Sequence, residues 1–380
     1  MSGKNSRKIA FQDLKKLHKR YKGEIESSIH RVLGSGWFIL GKEVEKFEKE
    51  FSKFSGCKYT VSVGSGTEAI KIALESLELS EGDEVITVSN TFVSTVLSIS
   101  AVGAKPVLVD INQKNFNIDP SKIEEAITEK TKVIMVVHMN GYTAEMDQIL
   151  AIAKKYGLYV VEDACQAHGS MYNGKIAGTF GSLGCFSFYP TKNLGAYGDG
   201  GAIITNNKRL YDKIKLLRNY GETSKYYYKI KGSNSRLDEI QAAVLRVKLK
   251  HLRETNRRRQ TLANLYFKGL RNLPIFLPPK NTTSNPLRNN YYLFPVMVEK
   301  RDELQSFLEK KGVSTQIHYP VPIHLQRSYR ELRGSRKNLL VTEHVCKRIL
   351  SLPMHSELTK EEVLYVCGSI KRFFKRQIKI

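Results

Sequence analysis

The stretch YTVSVGSGTEAIKIALESL, residues 59–77, changes its apolar period partway along. Tyr59–Val63 is a short run rich in β-branched residues and reads as a strand. Residues 67–77 repeat apolar side chains every three to four positions and read as a helix. Gly64 and Gly66 stand at the join, where glycine lets a backbone approach an anion and the first helical N–H groups point at it. The same alternation continues downstream. Glu84–Val88, 106–110, 132–138, 158–163, 185–189 and 202–205 read as strands, while 92–102, 123–127 and Met146–Tyr156 read as helical. Short Val/Ile-rich strands alternating with amphipathic helices predict an α/β fold, a mostly parallel central sheet covered on both faces. Ligands of such sheets bind beyond the carboxyl ends of the strands.

Upstream, residues 11–55 read as helices separated by Gly34-Ser35-Gly36 and Gly41. Downstream, residues 238–270 form a long, basic, periodic connector. Pro274, Pro278, Pro279 and residues 281–285 mark a loop, after which a smaller α+β domain runs to the end. The expected division is a large domain over 1–250, with 1–55 as its helical start, and a small C-terminal domain over 251–380.

A chain of 380 residues with 41% hydrophobic content has enough apolar material for two such units. Its start, MSGKNSRK, has no apolar run behind it to make a signal peptide. The most apolar long stretch, 91–109, is rich in Ser and Thr and is interrupted by Lys105-Pro106, so no membrane span is expected and the location expected is cytoplasmic. The five cysteines are scattered, with no CxxC pair and no zinc spacing, and the nine histidines form no HExxH, so no metal site is expected. The net charge of +24 is the unusual number, and Tyr226-Tyr227-Tyr228 between lysines gives the aromatic interleaving that stacks bases. The positive charge is nevertheless spread along the whole chain and no nucleic-acid module is recognisable, so nucleic-acid binding is not the expected function.

Four stretches bear on chemistry. Gly64-Ser65-Gly66-Thr67-Glu68-Ala69 mimics a dinucleotide fingerprint, but the next strand ends in Ser89-Asn90 where an acidic residue should hold a ribose. Residues 169–175 have the glycine and lysine spacing of a P-loop, yet Ile176 stands where a hydroxyl must bind magnesium. Asp163 closes a buried strand, a costly place for a carboxylate unless it faces a cation. Lys192 follows a strand amid apolar and small residues, and Ser187, just before it, suits a phosphate. Desolvation there would free the lysine amine to attack an aldehyde. The order of these parts is the layout of a pyridoxal phosphate site. Asp163 would keep the pyridine nitrogen protonated, and Lys192 would join the cofactor and then, once released, move a proton.

With these residues in hand, the chain resembles the DegT/DnrJ family of sugar aminotransferases over nearly its whole length. The matching stretches are SGWFILGKEVEKFEKEF, VSVGSGTEAI, GDEVITVSNTFVST, GAKPVLVDI, VVEDACQAHGS, FSFYPTKNLGAYGDGGAI and GSNSRLDEIQAAVL. The resemblance implies a fold-type-I pyridoxal-phosphate-dependent transferase, active as a homodimer with a shared active site. It makes Lys192 the Schiff-base lysine and Asp163 the pyridinium partner, and places Gln166 near the ring hydroxyl and Phe92 against the ring. It gives the phosphate to Gly66, Thr67 and Ser187, with Asn234 reaching in from the neighbouring subunit. A branch that dehydrates sugars carries histidine in place of the lysine, so Lys192 favours transamination. Met139-Asn140-Gly141-Tyr142 departs from the usual Tyr-Gly pair at the pocket edge.

Residues 317–326, IHYPVPIHLQ, are similar to the branch acting at sugar C3, on thymidine-diphosphate-linked 3-keto-6-deoxyhexoses. In that reading Tyr189, His318, Tyr319 and His324 line the sugar pocket, and an amino acid, L-glutamate by resemblance, donates the nitrogen for deoxyamino-sugar biosynthesis. The alternatives are a 4-aminotransferase or a sugar dehydratase on the same fold and, more distantly, a basic regulatory protein without catalysis.

Overall fold

The computed structural model describes residues 8–281, 287–332 and 339–377; residues 282–285 of the expected loop lie outside them. Seven strands form the central sheet: β1 (Tyr59–Val63), β2 (Glu84–Val88), β3 (Lys105–Val109), β4 (Thr131–Val137), β5 (Tyr159–Asp163), β6 (Leu183–Ser187) and β7 (Gly201–Thr205). Their order is β1-β7-β6-β5-β4-β2-β3. The β3-β2-β4-β5-β6 run is parallel, and β7 is antiparallel to both β6 and β1.

β4 explains why its sequence reads as continuous apolar residue rather than as alternation. Successive side chains of a strand point to opposite faces. Val133 and Met135 enter one buried cluster, with Ile70, Leu74 and Ile214. Ile134 and Val136 enter another, with Ile149 and Ala153. Both faces are covered, so both sets must be apolar.

The first cluster is roofed by α3 (Gly66–Ser76) and α6 (Lys208–Leu217). On the other face lie α5 (Met146–Tyr156), α2 (Lys42–Ser55) and the first half of the long α7 (Glu239–Leu270). There the edges of Phe186 and Phe188 meet the Phe51 ring at 5.1 and 5.6 Å between centroids. The element α1 (Leu14–Ser35) lies on α7 through Tyr21, Ile25, Val244 and Val247.

The second half of α7 supplies Leu262, Tyr266, Phe267 and Leu270 to a separate core. That core also takes α8 (Arg301–Lys310), α10 (Lys360–Gln377) and the antiparallel pair β8 (Phe294–Met297) and β9 (Ile349–Leu352). The residue 250 boundary thus falls inside one unbroken helix. Ile9 joins the second core and bridges Val313, so the start of the described chain packs with its end.

Expected elements lie within three residues of those observed, the widest gap being at the start of α1, with one exception. Residues 123–127 are not a helix of their own but part of two successive 3-10 turns, Pro120–Lys122 and Glu124–Ala126. The rejected P-loop stretch is a hairpin, Met171–Tyr172 against Lys175–Ile176, turned by Asn173 and Gly174 at φ 46° and 79°. Among the described residues no helix is long and apolar enough to cross a membrane.

Candidate active site

The site assembles at the carboxyl ends of the parallel strands. β5 delivers Asp163, whose side chain is buried. Thr95 Oγ1 donates to its Oδ2 at 2.8 Å and Cys165 N–H to its Oδ1 at 3.2 Å. Thr95 sits on α4 (Val93–Ala101) and is itself hydrogen-bonded to Thr91 Oγ1 at 2.8 Å, which fixes its hydroxyl. Both carboxylate oxygens are therefore oriented by neutral donors. No cation of the described residues pairs with them.

β6 leads into the loop that carries Lys192. The loop closes on itself: Lys192 N–H donates to Tyr189 O at 2.8 Å and Ala196 N–H to Phe188 O at 2.7 Å. Gly195 makes that closure possible, because a Cβ there would lie 2.4 Å from Pro190 O. The exit of the loop is pinned by buried Lys248 of α7, which donates to Gly195 O at 2.6 Å and whose pKa burial lowers to about 8. The Lys192 amine lies 4.6 Å from the centroid of the Tyr292 ring, with no carboxylate paired to it among the described residues. The Cys165 thiol feels the charges of both Asp163 and Lys192. Burial raises that thiol's pKa most, Asp163 adds to the rise and Lys192 opposes it.

Opposite them is the start of α3. Ser65 caps it, its hydroxyl accepting from Glu68 N–H at 3.2 Å. The first N–H groups of a helix have no acceptor within it and attract an anion. Thr67 Oγ1 lies 2.8 Å from Ser94 Oγ, and Ser187 Oγ accepts from Tyr189 N–H at 3.3 Å. A Cβ on Gly66 would lie 2.5 Å from Ser187 Cβ, so glycine is what lets the helix start approach β6. Gly66 thus lies against Ser187, with Thr67 next to it in the helix. Asn234 is exposed beside Ser235, whose Oγ accepts from Gly64 N–H at 3.2 Å.

Gln166 is buried, and its Oε1 accepts from Asn140 N–H at 2.7 Å, which fixes the amide. Phe92, 53% exposed, leads a chain of rings: Phe92 to Tyr319 at 6.0 Å, Tyr319 to His318 at 5.5 Å and His318 to Phe11 at 5.8 Å. Burial, reinforced by the Lys192 charge, lowers the His318 pKa to about 4. Burial raises Tyr319 well above the ordinary phenol range, with Tyr292 and Asp163 adding to it. Tyr189 is exposed at the mouth of the loop. His324 differs from these. It is buried with Nδ1 at 2.7 Å from Ser89 Oγ and Nε2 at 3.3 Å from Glu343 Oε1, so both ring nitrogens are engaged within the protein.

Three contributors were not predicted: Thr95 on Asp163, the Asn140 backbone on Gln166, and Tyr292 beside Lys192. Thr95 alone had a local signal, since Thr91 and Thr95 are spaced four apart, as neighbours on one face of a helix are.

The DegT/DnrJ/EryC1/StrS aminotransferase family pattern matches residues 19–371. The chain is 42% identical over 97% of both lengths to the dTDP-3-amino-3,4,6-trideoxy-alpha-D-glucose transaminase of Streptomyces venezuelae. It is 44% identical, over 96% of its own length and 99% of the relative's, to the dTDP-3-amino-3,6-dideoxy-alpha-D-galactopyranose transaminase of Aneurinibacillus thermoaerophilus. The crystal structure of S. venezuelae DesV in complex with a ketimine intermediate superposes with a TM-score of 0.93 at 42% identity, over 96% of this chain and 98% of that one.

Proposed function

As this chain belongs to the DegT/DnrJ/EryC1/StrS aminotransferase family, with pyridoxal phosphate as its cofactor, we propose that it moves an amino group from an amino acid, L-glutamate by resemblance, to C3 of a dTDP-linked 3-keto-6-deoxyhexose. The names of the two transaminases at 42% and 44% identity support the position and the nucleotide. The observation that carries the reading is a single juxtaposition. Among the described residues, a buried carboxylate with no paired cation, an amine with no paired carboxylate and a helix N-terminus flanked by hydroxyls lie at one end of the sheet.

The residues fit the cofactor. The close approach of Gly66 to Ser187 leaves the α3 N-terminus, Thr67 and Ser187 as a phosphate cradle. Asp163, its oxygens set by Thr95 and Cys165, would face the ring nitrogen, and the fixed amide of Gln166 the ring hydroxyl. Phe92 would cover the ring. Bound pyridoxal phosphate supplies a carbonyl carbon that exchanges nitrogen partners and a protonated ring that accepts the electron pair released when a C–H bond opens. Asp163 would keep a proton on the ring nitrogen by placing negative charge beside it in a dry setting. Lys192 would hold the coenzyme through Nζ and, once released, would be the group placed to move a proton. Tyr189, Tyr319 and His318, whose Nδ1 lies 3.0 Å from Ser351 Oγ, would orient the sugar. His324 acts on the pocket through the segment it fastens to Ser89.

We assign the shared site to a homodimer in which Asn234 of one protomer reaches the phosphate of the other. Within each protomer, residues 1–250 would carry the coenzyme and 251–380 close over it. A cytoplasmic location accords with five unpaired cysteines. Purified protein is expected to show a near-visible absorption band that bleaches with L-glutamate, and Lys192→Ala to lose both band and turnover. An unchanged band and rate in that variant would refute the reading. Isotope-edited NMR of the product is expected to place nitrogen on C3; nitrogen on C4 would overturn the position alone.

A further inference from the structure

Lys192 must let go of whatever it holds and take it back in every cycle, so where its side chain rests in between matters to the rate. In this structure Nζ rests over the face of Tyr292, 4.6 Å from the ring centroid. That ring stands on a rigid base. Tyr292 N–H donates to Asn290 Oδ1 at 2.9 Å, and Tyr292 O accepts from Arg259 Nη1 at 3.3 Å. Arg259 is buried on α7 and bonds also to Tyr291 O and Met354 O. Asn290 Nδ2 in turn donates to Gln166 O and His168 O, both at 3.1 Å. The tyrosine is therefore tied on one side to the connecting helix and on the other to the segment that follows Asp163.

An aromatic face attracts an ammonium through its quadrupole but offers no lone pair to share its proton. A carboxylate in the same place would hold the ammonium too firmly for it to return to a carbonyl carbon. A purely aliphatic wall would leave a four-carbon stem free among its rotamers. We propose that the Tyr292 ring is the resting seat of the Lys192 side chain whenever its nitrogen is not covalently engaged, which makes Tyr292 a positioning residue for the amine. The proposal depends on the assignment of Lys192 made above.

The test uses Tyr292→Phe, which keeps the ring, and Tyr292→Leu, which removes it. Coenzyme-free protein is reductively methylated with carbon-13, and the Lys192 methyl signal is identified as the one missing from Lys192→Ala. Ring current should displace that signal upfield in the parent and in Tyr292→Phe, and Tyr292→Leu should return it to the range of the other lysines. In the loaded enzyme, Tyr292→Leu should lower the rate of the glutamate half-reaction by about threefold to thirtyfold with little change in KM, and Tyr292→Phe should restore it. An undisplaced signal in the parent overturns the seat without any variant at Tyr292. A Phe variant as slow as Leu also overturns it, because the hydroxyl would then be the active part. Both Tyr292 variants are expected to keep the near-visible band, whereas failure of the Lys192 assignment would appear as a band surviving in Lys192→Ala.

Discussion

His168 is fully buried, with no side chain hydrogen-bonded to its ring among the described residues. Its ring packs against Phe186 and Phe188 at 5.5 and 5.8 Å. Burial, with the Lys192 charge second, lowers its pKa to about 3, whereas an unfolded histidine titrates near 6.5. As pH falls below about 6.5 the unfolded chain takes up a proton that the folded chain refuses, so stability is complete above that value and drains away below it. Each pH unit costs about 1.4 kcal/mol, or about 2 kcal/mol at pH 5. Denaturant midpoints at pH 7.5 and pH 5 should therefore lie closer together in His168→Leu than in the parent, whatever the substitution does at either pH alone. An unaltered gap would mean that this imidazole is not the group responsible. The sequence named Asp163 and Lys192 because each sits at a strand end with a local reason to be costly there. It could not name Tyr292 or the fastening of His324 by Glu343, because those contacts join segments far apart in the chain.

At the scale of elements, the join between α2 and α7 is carried by one carboxylate. Glu239, the first residue of α7, is buried and accepts from three backbone N–H groups: Gly41 at 2.9 Å, Glu43 at 2.9 Å and Val44 at 2.8 Å. It caps the neighbouring helix, which has no side-chain cap of its own. Charge-assisted bonds of this kind contribute about 1.5–3 kcal/mol apiece, and orphaned buried N–H groups cost about as much again. Glu239→Ala should therefore lower unfolding stability by about 3 kcal/mol or more, with Glu239→Gln between it and the parent. Equal denaturant midpoints in all three proteins would remove the cap from the account. The helix α7 was legible in advance because its periodicity persists over some nine turns. The 3-10 turns at 120–126 were not, since a proline start and a run of so few residues cannot nucleate a regular helix against the sheet. Nor was the reversed direction of β7 legible, because apolar spacing records which faces are buried and not which way a strand runs.

The whole molecule poses the question of how many copies make one site. Trp37, Phe38 and Ile39 stand exposed between α1 and α2, and Tyr226, Tyr227 and Tyr228 stand exposed on a hairpin a few residues before Asn234. Exposed rings of this kind mark surface that a protein partner can cover, and the proposed second copy would cover them. A single chain's strand and helix pattern specifies its own core, so a dimer is expected here only through resemblance. If each site takes Lys192 from one protomer and Asn234 from the other, two crippled variants should repair each other. Asn234→Asp sets a negative charge where the phosphate is expected, and Lys192→Ala removes the amine. A mixed dimer then has one site carrying both lesions and one carrying neither. With random pairing of equal amounts, about half the dimers are mixed and each has one of its two sites intact, so about a quarter of parental activity should return after unfolding and refolding the mixture. Refolding the variants separately controls for gain by refolding alone. Activity no greater than the mean of the two separate variants would place Asn234 in its own protomer's site and leave each chain catalytically independent.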